Sequence, residues 1–257
     1  MTIHEVPTES RAILSDRVLG RELTCSCGRE HRVLTREVVI EPEAARRLPE
    51  VLARRVGGRR VLLVADRRTW DAAGAEAGAA LASSWAVERC LLRDGPEGAI
   101  HASVELVDEL AAAYPDAFDA YLAVGSGTIN DLVKELAHRR SRPYAVLATA
   151  ASMNGYTSAI VALLARGLKT TGEATPPVAV LADPVVLAAA PRELSLAGLG
   201  DLVSKPYCGC DWLIASLVRG EYHCPLPDRL LTGPFEHGLE DFPGLAVGDP
   251  EAVVEAV

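Results

Sequence analysis

Two glycines one residue apart follow an apolar run at Val124-Gly125-Ser126-Gly127-Thr128-Ile129-Asn130-Asp131. A strand ending there can turn tightly. The helix that begins, with Ile129, Leu132, Val133 and Leu136 on one side, aims its free N–H groups outward. Bare backbone and a helix N-terminus together suit an anion such as a pyrophosphate, at the strand end where α/β sheets bind cofactors. The pattern is not GxGxxG, and a tight turn without a ligand stays open. Asp66 closes another apolar run, where its carboxylate either accepts hydrogen bonds from an adenine ribose or caps the next helix. Thr149-Ala150-Ala151-Ser152-Met153-Asn154-Gly155-Tyr156-Thr157-Ser158 follows a further run. Its small hydroxyl residues suit close ligand contact, with a polar turn as the plain alternative. In Ala197-Gly198-Leu199-Gly200-Asp201 a glycine-punctuated turn leads into a helix, so Asp201 reads as an N-terminal cap or as a metal carboxylate. Lys205, one turn on, shares its face. That pairing suits an anionic substrate and is equally an ordinary helix salt bridge.

The cysteines offer other chemistry. Cys25-x-Cys27 with His31 puts three soft donors within seven residues, with no obvious fourth. Cys208-x-Cys210, with His223-Cys224 further on, offers a second cluster. Neither spacing matches a standard zinc pattern, and plain thiols are the competing reading. Cys90 reads as a small core residue.

Positioning these residues falls to a regular alternation. Strands are expected at Val38–Ile40, Arg60–Asp66, Val87–Leu92, Ala120–Val124, Tyr144–Ala148 and Val178–Leu181. Helices are expected over Glu43–Val56, Trp70–Ser84, Ser103–Ala113 and from Ile129 onward. Strands that are apolar throughout, separated by amphipathic helices, indicate a parallel sheet covered on both faces. From Pro191 onward helical patterns dominate. The chain therefore divides into an α/β dinucleotide-binding domain over 1–190 and a helical segment over 191–257.

The net charge of -9, from 26 Lys+Arg against 35 Asp+Glu, argues against nucleic-acid binding, which needs a basic face. No apolar run is long enough to span a membrane. The first twenty residues are polar where a signal peptide needs an apolar stretch, so a cytoplasmic protein is expected. There, six cysteines should be reduced thiols or metal ligands rather than a disulfide framework.

Taken together, GSGTINDLVK at 125–134, TAASMNGYTS at 149–158, GLKTT at 167–171 and AGLGDLVSK at 197–205 resemble the sn-glycerol-1-phosphate dehydrogenase family. That family belongs to the dehydroquinate synthase and iron-containing alcohol dehydrogenase superfamily. Cys25-Ser26-Cys27-Gly28 before Val38 is similar to bacterial members. The likeness runs along nearly the whole chain. It is weaker to the dehydroquinate synthase branch, which uses NAD as a transient redox partner.

The resemblance implies a Rossmann-like nucleotide domain followed by an all-helical metal and substrate domain, with the active site in the cleft between them. It implies reduction of dihydroxyacetone phosphate to glycerol 1-phosphate by NADH or NADPH with one divalent metal, zinc, nickel or iron. Carried onto this chain, Asp66, Gly125, Ser126, Gly127, Thr128, Ile129, Thr149, Ala150, Ala151, Ser152 and Ser158 would hold the dinucleotide. Asn154 and Asp201 would face substrate, and Asp201 would be the metal's carboxylate ligand. No residue is assigned as catalytic. Two departures bear on the chemistry. Asn154 stands where the family has an aspartate, and it cannot carry charge or act as a base. The family's two metal-binding histidines lie downstream of the region matching this chain's end. His223 and His237, the histidines after Asp201, match neither. The sequence thus reads as ending partway through the helical domain, as a fragment or one half of a split enzyme. The alternative is a degenerate nucleotide-binding or regulatory protein without the metal. Leu213, Ile214, Leu217 and Val218 then lack a guaranteed cover, so a homo-oligomer or a complementary subunit is expected.

Overall fold

The structure, a computed structural model, describes residues 18–95, 98–114, 118–240, 242–247, 249 and 252. Arg60–Asp66, with only Arg60 exposed and Asp66 half-buried, forms strand β4, an interior strand of a six-stranded sheet. Its side chains alternate between two cores. Val61, Leu63 and Ala65 face one, and Leu62 and Val64 face the other. Both faces are therefore covered, which is why the run is apolar at every position rather than at every second one.

Around β4 stand β3 (Glu37–Ile40), β5 (Ala86–Leu92), β6 (Ala120–Gly125), β7 (Tyr144–Ala148) and β10 (Ala179–Ala182). The order across the sheet is β3-β10-β7-β6-β4-β5, and every pairing is parallel. The chain runs outward from β4 to β5, then crosses back to place β6 on the other side of β4. That reversal leaves a crevice between the carboxyl ends of β4 and β6, the place where open α/β sheets bind ligands.

One face carries a short 3-10 turn at Ala44–Arg47, helix α1 (Leu48–Arg55) and helix α2, a continuous helical run over 67–82. The expected start of α2 at Trp70 moves back three residues because Asp66 caps the helix. The other face carries α3 (Val104–Ala113) and α4 (Gly127–Arg139). Ser103 caps α3 by accepting the Leu106 amide at 3.2 Å. Ile129, Leu132, Val133 and Leu136 of α4 are all buried, as their spacing predicts.

Two hairpins escaped the sequence pattern. β8 (Ile160–Ala165) and β9 (Leu168–Glu173) pair antiparallel through Arg166 and Gly167, both with positive φ. Such a two-residue turn matches strand twist. Every residue of β9 is exposed, so no burial pattern announced it. β1 (Glu22–Thr24) and β2 (Glu30–Arg32) form a second hairpin outside the main sheet. Strands of three residues leave no periodicity to read.

After a short helix α5 (Pro184–Ala188), capped by Asp183, comes the 28-residue helix α6 (Arg192–Arg219), then α7 (Leu226–Glu240) and α8 (Phe242–Val247). The change to helix near residue 190 agrees with the sequence. The glycine turn expected before Asp201 does not exist. Asp201 lies inside α6, so the reading of it as an N-terminal cap is corrected. Gly198 and Gly200 sit in the helix without ending it. Among the described residues, no helix is long and apolar enough to cross a membrane.

Candidate functional site

Gly125 ends β6, and a Cβ there would stand 2.6 Å from the Ile129 side chain. Only glycine lets helix α4 start this close to its strand. Ser126 is the helix's N-cap residue, yet its side chain makes no capping hydrogen bond. Its carbonyl accepts the first intrahelical bond, from the Asn130 amide at 2.9 Å. The amides of Gly127, Thr128 and Ile129 have no partner one turn back, as at any helix start. They sit beside the crevice between β4 and β6.

Asp66 stands across that crevice. Its Oδ1 accepts the Thr69 amide at 2.7 Å, and its own amide donates to Thr69 Oγ1 at 3.0 Å. The cap and the ribose acceptor, rival readings in the sequence, are compatible here. Oδ2 is left with only Arg68, at 3.9 Å. Arg68 itself is held by Asp94 and by the Gly98 carbonyl. Asp66, Ser126 and Thr149, from the ends of three strands, open into one cleft of about 570 Å³. The α5–α6 segment closes its far side through Val185, Val186 and Leu194.

The other expected residues divide. Thr149 is buried and ties back to the turn, its amide donating to the Gly125 carbonyl at 3.2 Å. Ala150 and Ala151 are buried, and Ser152 is half-buried. The Ala150 carbonyl accepts the Tyr156 hydroxyl at 2.7 Å. Ser158 does not line the cleft. Its hydroxyl accepts from Lys134 Nζ at 3.0 Å and serves the loop's own structure.

Lys134 is the residue that sequence reasoning passed over, although it lies within GSGTINDLVK. Its side chain is 0% exposed, and the ammonium also donates to the carbonyls of Gly155 and Ile160 at 3.1 and 3.0 Å. It thereby nails the loop after β7 to α4. Burial pulls its pKa below the ordinary lysine range, with Asp131 at 3.7 Å opposing. Burial likewise raises Asp131, against the pull of Lys134. The available signal was a lysine at an inward position of the helix, beside Val133 and four residues after the buried Asn130.

Asp201 Oδ2 accepts the Asn154 amide at 3.0 Å, and Oδ1 pairs with Lys205 at 3.0 Å. These two residues, Asn154 and Asp201, are thus neighbours at the loop–helix junction. Burial raises the Asp201 carboxyl, but the Asn154 amide and Lys205 outweigh it and leave the pKa below the usual value. Among the described residues, Asp201 joins no group of three metal donors. His223 lies 3.9 Å from Asp228 and against the Trp212 ring, and the side chain of His237 is outside the described residues. A catalytic divalent metal takes about three protein ligands. One carboxylate already engaged with a lysine does not make such a site.

A family model described as iron-containing alcohol dehydrogenase matches residues 39–191. Glycerol-1-phosphate dehydrogenase (NAD(P)+) of Geobacillus thermodenitrificans is 28% identical over 93% of this chain and 59% of its own length. The Bacillus licheniformis protein of the same description is 31% identical over 84% of this chain and 54% of its own. The chain thus spans between half and three-fifths of these relatives. Among solved structures, an iron-containing alcohol dehydrogenase from Thermotoga maritima superposes with a TM-score of 0.71 at 18% identity, over 87% of this chain and 64% of that one. Glycerol dehydrogenase from Schizosaccharomyces pombe gives 0.67 at 20% identity, over 88% and 60%. Those two likenesses establish the fold.

Proposed function

The chain belongs to the iron-containing alcohol dehydrogenase family, and on that premise we propose that it provides the NAD(P)-binding part of an oxidoreductase that interconverts dihydroxyacetone phosphate and sn-glycerol 1-phosphate. The observation that carries the reading is the uncapped start of α4 at the β4/β6 crevice, opening into a cleft shared with Asp66 and Thr149. Amides of residues 127–129 receive the pyrophosphate. Asp66 Oδ2, with Arg68 at 3.9 Å, would accept from the adenine ribose, and Thr149 lines the same cleft. Lys134 does not touch the dinucleotide but holds the loop that does. The substrate, a small phosphorylated ketone, belongs at the Asn154–Asp201–Lys205 junction, where Lys205 offers a cation. A bound dihydronicotinamide would supply the hydride for the carbonyl carbon, and the Lys205 ammonium or solvent would supply the proton for its oxygen. Asn154 can orient that oxygen but has no proton to give at neutral pH.

The neutral Asn154 and the solitary Asp201 carboxylate favour a second reading, a nucleotide-binding protein without turnover. Fluorescence titration with NADH and NADPH, followed by assay with dihydroxyacetone phosphate and added zinc, nickel or iron, separates them. Saturable binding is expected, and Ser126→Phe, which fills the cleft without touching a capping bond, should weaken it at least tenfold. Turnover by the chain, alone or with a complementary polypeptide, supports the enzyme. Binding without turnover in either setting supports the second reading. No binding at millimolar coenzyme removes both.

A further inference from the structure

Far from the crevice in sequence, four soft donors converge. Cys25 closes β1, Cys27 sits in the following turn, His31 lies on β2, and Cys224 comes from the loop between α6 and α7. Their donor atoms all lie within 4.8 Å of one another. Cys25 Sγ is 3.5 Å from Cys224 Sγ, and His31 Nε2 is 3.3 Å from the sulfurs of both Cys27 and Cys224. A disulfide has sulfurs about 2 Å apart, so the cysteine pair is not one. A tetrahedral zinc with its usual bond lengths of about 2.3 Å to sulfur and about 2.0 Å to nitrogen has edges of about 3.8 Å between sulfurs and about 3.5 Å from sulfur to nitrogen. The three short edges are close to these, and the whole group stays within 4.8 Å.

We propose that Cys25, Cys27, His31 and Cys224 bind one zinc ion in a closed structural Cys₃His site. Zinc displaces three thiol protons, leaving one net negative charge on the complex. Outer groups to receive that charge are in place. The Leu226 amide donates to Cys224 Sγ at 3.4 Å, and the Tyr222 hydroxyl stands 3.1 Å from Cys27 Sγ. The Arg29 guanidinium lies 3.5 Å from the Tyr222 ring centre. Such second-layer contacts orient ligands and temper the sulfurs. Four protein ligands leave no open position, which marks a structural rather than a catalytic metal.

The site also answers a structural need. A two-stranded hairpin of three-residue strands is marginal by itself. Among the described residues it is backed by a small cluster that includes Val18, Leu23 and Leu226. The ion joins residues 193 apart, stapling the hairpin to the end of α6, the helix that carries Asp201. Cys208 and Cys210 take no part. Both are exposed on α6, and Cys224 lies with Cys25, Cys27 and His31 instead.

The inference stands apart from the nucleotide reading, and its test does not involve turnover. Protein purified without chelator should hold about one zinc per chain by mass spectrometry of the metal. Cobalt exchanged into it should show the thiolate-to-cobalt charge-transfer band and the intense visible bands of a tetrahedral ion. Cys224→Ser and Cys27→Ser should lose the zinc, whereas Asp201→Ala and the Cys208→Ser/Cys210→Ser double variant should keep it. Cobalt spectra of the unmutated chain need no variant to fold. Zinc retained in Cys224→Ser but lost in Asp201→Ala would overturn the assignment. So would metal-free protein that takes up no cobalt with its thiols reduced.

Discussion

Asp201 holds the loop after β7 to helix α6 through the Asn154 amide and the Lys205 ammonium. Because its folded pKa is lowered, its charge stabilises the fold above the ordinary carboxylate range. That contribution disappears as pH falls through the depressed value. Asp201→Asn keeps an acceptor for Asn154 but loses the charge. It should cost about 1 kcal/mol near neutrality, since the pair is partly solvated. Urea unfolding of both proteins checks this, and the difference should vanish in strong acid. A difference that persists there would mean that the charge is irrelevant. At this scale the sequence displayed Asp66, Ser126, Thr149 and Asp201 because strand ends and turns expose their chemistry. The contact between Lys134 and Ser158 is the opposite case. Their bond to each other spans 24 residues, and neither residue signals it alone.

Helix α6 packs against the loop after β7 only because Gly198 has no side chain. A Cβ there would fall 2.0 Å from the Ala151 carbonyl oxygen, a backbone atom that cannot swing aside. Gly200, two residues on, faces open space. Replacing either with alanine gains about 1 kcal/mol of helix propensity. At 198 the clash costs about 1–3 kcal/mol and should win. Gly198→Ala is therefore expected to destabilise the chain and to weaken NADH binding by displacing the loop at 149–152. Gly200→Ala should stabilise it and leave binding unchanged. Thermal unfolding and coenzyme titration of the pair provide the check, and equal behaviour of the two variants would refute the close approach. The same glycines explain why an expected turn became helix, since a sequence cannot distinguish a glycine that bends a chain from one that admits a neighbour. Elements buried on both faces, β4, β6 and β7, were legible. The exposed β9 and the three-residue β1 and β2 were not.

For the whole molecule, the parallel sheet and the helical segment after it could be read from the sequence because burial on both faces writes continuous apolar runs. The convergence of Cys224 on Cys25, Cys27 and His31 could not, since separation along the chain says nothing about proximity in space. The apolar stripe on α6 was legible in the sequence. Leu213, Ile214, Leu217 and Val218 recur at helical spacing, and all four are exposed, the last two by 77% and 78%. Four such residues side by side exceed the scattered exposure usual on a monomer. Burying most of Leu217 and Val218 against another surface would contribute about 1.5–3 kcal/mol for each side chain. We therefore expect association that grows with concentration in light scattering, together with binding of a hydrophobic dye. The double variant Leu217→Glu/Val218→Glu should shift the protein toward monomer and reduce dye binding, while zinc content and coenzyme affinity stay unchanged because neither residue touches those sites. A monodisperse monomer that binds no dye at high concentration would show that the stripe is tolerated in water and that the chain needs no partner there.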